Sequence, residues 1–315
     1  MQSKPKVRFR GSEAANGLLM ISPTAIYAIL LLAAPLGMIL VYSFMTDGYL
    51  QIIPKFQLCN YFGECHSYKD VNGVLTESQT YKGVWSDPLA LTLMWRSLMI
   101  SMVVTAVTVL LAFPVAYYVS FYVAPSKKSL WLFLITIPFW TSYLIRVFLW
   151  KVILGTGGPI NFGLLEIGLI QEPITWLLYN VNSVVITLAH AYAPFAILPI
   201  FVSLEKIDRS FLEAGRDLGE SPFMTFWRVT LPLAMPGVIS SVLIVFIPTI
   251  GDYVTPSLVG GPEGKMVANL VELNYKKLDN YPLGSALAVS SMALVMAVSL
   301  LFLFLNRRFL RGNKR

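Results

Sequence analysis

The 315-residue sequence is 56% hydrophobic and only 13% charged. Soluble globular domains carry about a quarter of their residues as charges, so this composition excludes an ordinary soluble protein. The formal net charge is +7, and the membrane topology derived below accounts for it without any binding of nucleic acid.

The charged residues are confined to segments between long apolar runs. A helix that crosses the roughly 30 Å hydrocarbon core of a bilayer needs about 20 apolar residues, since each residue rises about 1.5 Å. Five runs without Asp, Glu, Lys or Arg are at least that long, and a sixth apolar segment is interrupted near its end by Arg146 and Lys151. The sequence therefore predicts an all-α integral membrane protein with six transmembrane helices, at residues 18–44, 94–123, 129–154, 181–203, 231–253 and 283–305.

All six spans belong to one predicted membrane domain, residues 17–306, between short tails at 1–16 and 307–315. The first span follows a basic start, as in a secretory signal peptide. Its apolar stretch is longer than the about 7–15 residues of a typical signal core, so we expect a retained helix.

Basic residues indicate which side of the membrane is cytoplasmic, because cytoplasmic loops are enriched in Lys and Arg. With the N-terminus inside, fifteen of the 24 Lys and Arg residues fall in cytoplasmic segments and six in outer segments. Both termini are therefore predicted to be cytoplasmic. The same orientation gives a large outer loop at 45–93 and a long cytoplasmic loop at 204–230.

The outer loop contains both cysteines of the chain, Cys59 and Cys65. The compartment predicted for this loop permits a disulfide, and two free thiols are the alternative that the sequence leaves open. His66 next to Cys65 does not make a metal site, since only one ligand pair at an unusual spacing is present.

The cytoplasmic loop 204–230 is longer and less polar than an ordinary connection between spans. Its apolar residues recur at spacings of 3, 4 and 7 and predict one amphipathic helix stripe: Leu204, Ile207, Phe211 and Leu218. Gly219 is expected to end that helix. Ser221 and Pro222 then predict the N-cap and first position of a second short helix, which runs through Trp227.

This helix–turn–helix would present a charged surface away from the membrane. The charged residues lie off the apolar stripe, at Glu213, Arg216, Asp217 and Glu220. The pattern leaves two interpretations open. In the first, the charged surface docks a soluble partner. In the second, the loop lies on the membrane surface without a partner.

The same loop contains a gapped motif. Glu213-Ala214-Gly215, three residues, Gly219, nine residues, Val229, one residue and Leu231-Pro232 resembles the signature Glu-Ala-Ala-x3-Gly-x9-Ile-x-Leu-Pro of type I ABC importer permeases. Gly215 in place of Ala and Val229 in place of Ile are the departures. In that family this segment is the coupling helix, which sits in a groove of an ATPase subunit. The resemblance implies a type I importer permease fold and a set of ATPase-coupling residues: Glu213, Ala214, Gly215, Asp217 and Gly219.

The chain lacks a Gly-x-x-x-x-Gly-Lys-Ser/Thr phosphate loop. The nearest segment, 260–266, has the wrong spacing and lies on the outer side. We therefore expect a transport subunit that is not an enzyme and has no cofactor or metal of its own, with ATP and Mg²⁺ bound by the partner ATPase.

A closer resemblance covers most of the membrane part. The segment 137–146 (IPFWTSYLIR) looks like span three of spermidine/putrescine importer permeases, and the segment 251–256 (GDYVTP), with the Gly-Gly-Pro at 260–262, looks like the end of their span five. This implies a bacterial inner-membrane subunit that pairs with a second permease and binds two ATPase subunits. An extracytoplasmic binding protein would deliver a polyamine, putrescine or spermidine, and another small organic ion is the alternative cargo.

Polar side chains within the spans are candidates for the cargo path, because ionisable groups at membrane depth are costly. Asp252 is the carboxylate expected on the path of a cation. Its alternatives are a helix-end role in water and an ion pair with Arg146. We expect a structural role for Arg146 and an interhelical hydrogen bond for His190. Three aromatic residues are further candidates: Tyr143, Trp140 and Tyr192. Their rings can face an ammonium group of the cargo, and packing within the helical bundle is the alternative role.

Two other classes fit the sequence less well. An ion-driven carrier would be expected to have inverted halves with buried carboxylates, and Asp252 is the one acidic residue within the predicted spans. A membrane enzyme would need a nucleophile–base pair or a metal cluster, and no such constellation is evident.

Overall fold

The computed structural model describes residues 13–48, 51–71 and 74–310. Within them the chain forms thirteen α-helices and two small antiparallel sheets. The helices are α1 (Glu13–Tyr42), α2 (Pro88–Phe121), α3 (Pro125–Thr136), α4 (Tyr143–Leu154), α5 (Pro159–Glu166), α6 (Val181–Glu205), α7 (Arg209–Asp217), α8 (Pro222–Thr225), α9 (Leu231–Ile250), α10 (Val254–Val259), α11 (Val267–Lys276), α12 (Tyr281–Leu305) and α13 (Arg307–Leu310). The strands are β1 (Thr46–Asp47), β2 (Ile52–Ile53), β3 (Glu64–Val71) and β4 (Val74–Lys82).

Six helical segments are long and apolar enough to cross a bilayer, which confirms the predicted number of spans. They are Leu19–Tyr42, Pro88–Phe121, Tyr143–Glu166, Val181–Glu205, Pro222–Ile250 and Tyr281–Leu305. The second begins before the predicted residue 94, because Asp87 caps α2 by accepting a hydrogen bond from the backbone N of Leu89 at 3.0 Å. Of the predicted tails 1–16 and 307–315, residues 1–12 and 311–315 lie outside the described residues.

The predicted third span, 129–154, is not one continuous helix. Helix α3 ends at Thr136, a 3₁₀ turn follows over Ile137–Trp140, and α4 begins only at Tyr143. Pro138 has no backbone N–H to continue the helix, and the two residues before α4 have extended ψ angles of 147° and 137°. Apolar residues continue on both sides of the break, so hydropathy alone did not reveal it.

Helices α2, α6 and α9 form the centre of the bundle. The contact between α2 and α6 is the most extensive, followed among the helices by that between α6 and α9. The buried residues of α2 and α6 in the core include small and β-branched ones: Val104, Ala112, Ala116, Val184, Ala196 and Ile200. Such residues let membrane helices approach closely, because helix association in lipid depends on packing. Helix α1, in contrast, lies at the edge and packs mainly on α12.

Gly237 marks a close approach of α9 to α6. A Cβ atom added there would lie 2.4 Å from the carbonyl oxygen of Pro199 and 2.6 Å from Cβ of Ser203. We expect Gly237→Ala to force the two helices apart and to cost about 1–3 kcal/mol, as overpacking usually does. The measurement is the thermal unfolding midpoint of the detergent-purified chain. Gly37→Ala in α1 is the matched control, since a Cβ there meets nothing within 4 Å. Equal midpoints for the two variants would contradict the close contact.

The outer loop is a folded cap, whereas the sequence indicated only a polar excursion. Strand β1 pairs with β2 and strand β3 pairs with β4, both antiparallel. Cys59 and Cys65 form a disulfide in the structure, which is one of the two states that the sequence left open.

Asn60 is the fully buried centre of this cap. Its Nδ2 donates to the carbonyl oxygens of Ser43 at 3.0 Å and Met45 at 2.8 Å, and its Oδ1 accepts from the hydroxyl of Tyr81 at 2.8 Å. Burial, together with the negative charge of Asp47, raises the pKa of Tyr81, so the phenol remains a donor. The outer end of α1 is thereby fixed to the β3–β4 hairpin.

Candidate functional site

The loop between α6 and α9 contains the predicted coupling residues. Helix α7 is short and is capped at its start by Asp208, whose Oδ1 accepts a hydrogen bond from the backbone N of Ser210 at 2.9 Å. The hydrogen bonds from Ser210 lower the pKa of the Asp208 carboxyl. The carboxylate form that caps the helix is therefore favoured.

Gly219 ends α7, as predicted. It has a φ of +81°, in the left-handed region that glycine adopts without steric cost. Its backbone N donates to the carbonyl oxygen of Arg216 at 2.8 Å, and the N of Glu220 donates to Gly215 at 3.1 Å. This pair of hydrogen bonds is the Schellman arrangement, which satisfies the last carbonyls of the helix.

The predicted extent of the second short helix, from Pro222 through Trp227, is wrong. Ser221 caps α8 by accepting from the N of Met224 at 3.3 Å, as expected, but α8 continues through a π-helical turn, Phe226–Thr230, directly into α9. No glycine or other helix breaker separates the segments. Pro232 lies in the first turn of α9, where a proline is tolerated.

The predicted single apolar stripe is also wrong. Leu204 and Ile207 are buried, whereas Phe211 is 57% exposed and Leu218 is 84% exposed. The reason is that Asp208 starts a new helix, so residues on either side of it do not share one helical face. The exposed pair instead adds an apolar component to the outer surface of the loop.

The structure separates the five predicted coupling residues into two groups. Glu213, Ala214, Asp217 and Gly219 are exposed, and Gly215 is buried against α8. A Cβ on Gly215 would lie 3.3 Å from Cγ2 of Thr225, so glycine at this motif position lets α7 pack closely on α8. We define the coupling surface as the exposed residues Phe211, Glu213, Ala214, Asp217, Leu218 and Gly219.

A second cluster lies at the end of α9, around Asp252. Asp252 is only 8% exposed. Its Oδ1 accepts from the backbone N of Val254 at 2.9 Å and thus caps α10, and its Oδ2 accepts from the hydroxyl of Tyr143 at 2.5 Å. That hydroxyl also lies 2.6 Å from Oγ1 of Thr255. Sequence reasoning missed Thr255, although the Asp-x-x-Thr spacing at a helix start is a recognisable capping pattern.

Arg146 lies beside this cluster without pairing with its carboxylate. Its guanidinium carbon is 6.0 Å from the ring centre of Tyr143, and its Nη1 donates to the carbonyl oxygen of Ala191 at 3.4 Å. Among the described residues, the four ion pairs within 4 Å do not include Arg146. The alternative of an Arg146–Asp252 ion pair is therefore absent from this conformation.

The other three candidates occupy different environments. His190 accepts a hydrogen bond from Nε1 of Trp150 at 3.1 Å, which confirms the predicted interhelical bond between α6 and α4. Tyr192, on α6, is partly buried and directly follows Ala191, whose carbonyl oxygen accepts from Arg146. Trp140 is 77% exposed in the break between α3 and α4.

Across residues 13–48, 51–71 and 74–310, no three His, Cys, Asp or Glu side chains are grouped so that they could hold a metal ion.

The family described as "Binding-protein-dependent transport system inner membrane component" matches residues 71–312. The spermidine/putrescine transport system permease protein PotB of Haemophilus influenzae is 36% identical over 228 residues, covering 72% of this chain and 78% of the relative. PotB of Escherichia coli K12 is 34% identical over 230 residues, covering 73% and 82%. The inner membrane ABC transporter permease protein YdcU of E. coli is 30% identical over 212 residues, covering 64% and 67%.

Solved structures show the same fold at low sequence identity. A chain of a bacterial ABC transporter that imports alginate aligns with a TM-score of 0.60 at 13% identity, covering 93% of this chain and 95% of that one. A chain of the MetNI methionine ABC transporter aligns with a TM-score of 0.53 at 18% identity, covering 70% and 96%.

Proposed function

Because this chain belongs to the family of binding-protein-dependent transport system inner membrane components, we propose that it is the permease subunit through which an ATP-driven importer moves a polyamine. The family and the six apolar spans make it a multi-pass protein of the bacterial inner membrane. It acts in transport and is not an enzyme. The cargo assignment to putrescine or spermidine is supported by the two PotB relatives, which are 34% and 36% identical.

The observation that carries the proposal is the coupling surface. It combines a rigid glycine turn with exposed Glu213, Asp217 and Leu218, and it stands out from the spans on a short, capped helix. An exposed leucine on a helix with exposed charged residues suits a protein partner, since apolar anchors with a charged rim are typical of docking sites. The co-purification described below separates this docking site from the alternative of a loop that lies on the membrane surface.

The proposed assembly contains this permease, a second permease, two ATPase subunits and an extracytoplasmic binding protein. The ATPases bind ATP and Mg²⁺, and this chain contributes no cofactor. The distribution of Lys and Arg supports an orientation with both termini and the coupling surface in the cytoplasm. ATP binding would move α7 as a rigid unit and shift the pair of permeases between inward-facing and outward-facing states.

The proposed cargo path passes the cluster at the end of α9. Trp140 is exposed and Tyr192 is partly buried nearby, so both can present aromatic faces to an ammonium group. In this conformation the hydrogen bonds of Asp252 engage both of its carboxylate oxygens. We therefore propose that Asp252 and Tyr143 shape the path as a bonded pair, in which Asp252 positions Tyr143.

A different small organic ion is the alternative cargo. The observation that favours it is the position of Arg146, whose fixed positive charge lies 6.0 Å from the Tyr143 ring and disfavours a polycation there. Uptake competition between putrescine, spermidine and unlabelled organic anions separates the two possibilities.

Co-purification tests the proposed assembly. We expect an affinity-tagged wild-type chain, extracted in mild detergent, to retain an ATPase subunit. With Glu213→Lys we expect the amount of co-purified ATPase to fall at least tenfold, because this substitution reverses a charge on the coupling surface. Glu263→Lys is the matched control, since Glu263 is exposed in the connection between α10 and α11. Absence of any ATPase from the wild-type preparation would refute the proposed assembly.

A further inference from the structure

Lys128 connects three helix ends on the side of the coupling loop. Its Nζ donates to Oε1 of Glu205 at 2.6 Å and to Oε2 at 2.8 Å, and it also donates to the carbonyl oxygen of Ser120 at 2.8 Å. Ser120 lies in the last turn of α2, Lys128 in the first turn of α3, and Glu205 is the last residue of α6. One ammonium group thereby joins α2, α3 and α6.

This contact differs from the other ion pairs of the described residues. The pair of His66 and Glu77 lies within the β3–β4 hairpin, Arg228 pairs with Glu220 within the loop, and Lys276 pairs with Glu272 one helical turn away. The Lys128–Glu205 pair alone joins membrane segments far apart in sequence. The Lys128 side chain is 13% exposed and that of Glu205 is 43% exposed, so the ammonium group is largely shielded while the carboxylate remains in contact with water.

The position of helix α3 depends on the contacts that Lys128 makes. None of the residues of α3 is buried, and its packing against α2 and α6 is limited. Leu132 and Ile135 of α3 pack against the core only partly buried, so the polar contacts at the start of α3 also determine where it lies. The contacts of Lys128 fix that start to α6.

The same contact lies between the two parts of the functional site. Glu205 is followed within three residues by Asp208, the cap of α7. On the other side, α3 leads through the 3₁₀ turn Ile137–Trp140 to Tyr143, which bonds Asp252. A displacement of α7 therefore reaches Glu205 first and, through Lys128, reaches α3, which leads across the 3₁₀ turn to Tyr143 at the start of α4.

We propose that Lys128 and Glu205 are a positioning pair that makes α3 move together with the coupling helix α7, so that ATP hydrolysis is converted into a change at the Tyr143–Asp252 cluster. The pair touches neither cargo nor ATP. Its role rests on the proposed function, since it needs an ATPase that moves α7.

The first test measures cargo moved per ATP hydrolysed, with the complete complex in proteoliposomes and the binding protein supplied. In Lys128→Met and in Glu205→Gln we expect ATPase co-purification and ATPase rate to stay within twofold of wild type, while cargo moved per ATP falls at least fivefold. The double variant is expected to be no worse than either single one, because the two residues act as a unit. Lys127→Met is the matched control, since Lys127 is exposed and is expected to behave as wild type.

The second test needs no cargo and so separates this proposal from the cargo assignment. The chain has two cysteines, both in the disulfide, so spin labels can be placed at Ser126→Cys at the start of α3 and Ser210→Cys in α7. We expect one narrow distance distribution with and without ATP in otherwise wild-type protein, and a broader, ATP-dependent one after Lys128→Met. Identical distributions in both backgrounds would overturn the proposal. So would wild-type cargo per ATP in both single variants, or a loss of ATPase from both preparations.

Discussion

Replacing Gly219 by aspartate is expected to abolish transport while the chain remains inserted in the membrane. A side chain at a φ of +81° costs about 1–2 kcal/mol, and no neighbouring atom lies within 4 Å of the added Cβ. This strain is too small to unfold the helical bundle. The new carboxylate, however, joins Glu213 and Asp217 on the coupling surface and changes its charge where we propose that the ATPase docks. Uptake of labelled cargo and the amount of chain in the membrane fraction are measured together.

Gly219→Asn is the matched control for this prediction. Asparagine has nearly the shape of aspartate, adopts the left-handed conformation more readily than most residues, and adds no charge. We expect it to retain at least a third of wild-type uptake. Normal transport by Gly219→Asp would mean that the coupling surface is wrongly assigned.

Removing the carboxylate of Asp252 is the second change with a large expected effect. Asp252→Ala loses the cap of α10, which costs about 1 kcal/mol, and removes one hydrogen bond of the Tyr143 hydroxyl, which costs about 0.5–1.5 kcal/mol because Oγ1 of Thr255 remains as a partner. We expect uptake to fall at least tenfold at normal membrane levels, because the end of α9 no longer holds α4 in place.

Asp252→Asn distinguishes geometry from charge at this site. The amide oxygen can still cap α10, and the amide group can still bond Tyr143, but the negative charge is gone. Because both carboxylate oxygens are already bonded within the chain, we expect Asp252→Asn to keep uptake within about threefold of wild type, with little change in the KM for cargo. An Asn variant as inactive as the Ala variant would show that the charge itself acts on the cargo.

The spans and the glycine turn could be predicted because each depends on local rules. Charge-free runs of more than 20 residues leave few alternatives to a transmembrane helix, and a left-handed helix end is a conformation that favours Gly219. The interhelical bond of His190 was also predictable, since a polar side chain in a span needs a partner from another helix.

The features that were not predicted depend on contacts between distant residues. The break at 137–142 follows from Pro138 and from extended backbone at Thr141 and Ser142, which hydropathy does not register. The outer cap depends on Asn60, whose partners Ser43 and Tyr81 are 17 and 21 residues away. Sequence spacing alone could not bring these groups together.

The contact between Lys128 and Glu205 illustrates the same limit at the functional site. The two residues are 77 positions apart, and each alone resembles an ordinary charge at the end of a span. The charged surface of the loop could be predicted from local sequence. The connection between that loop and α3 could not, because it depends on how three helices pack together.

Uptake of labelled putrescine and spermidine by cells that lack this chain tests the central claim most directly. The cells carry no other polyamine importer and are complemented with the wild-type chain or with the empty vector. We predict that uptake of at least one of the two polyamines is lost in the vector control and restored by the wild-type chain. Uptake that is the same with and without the chain would contradict the assignment of this permease to polyamine import.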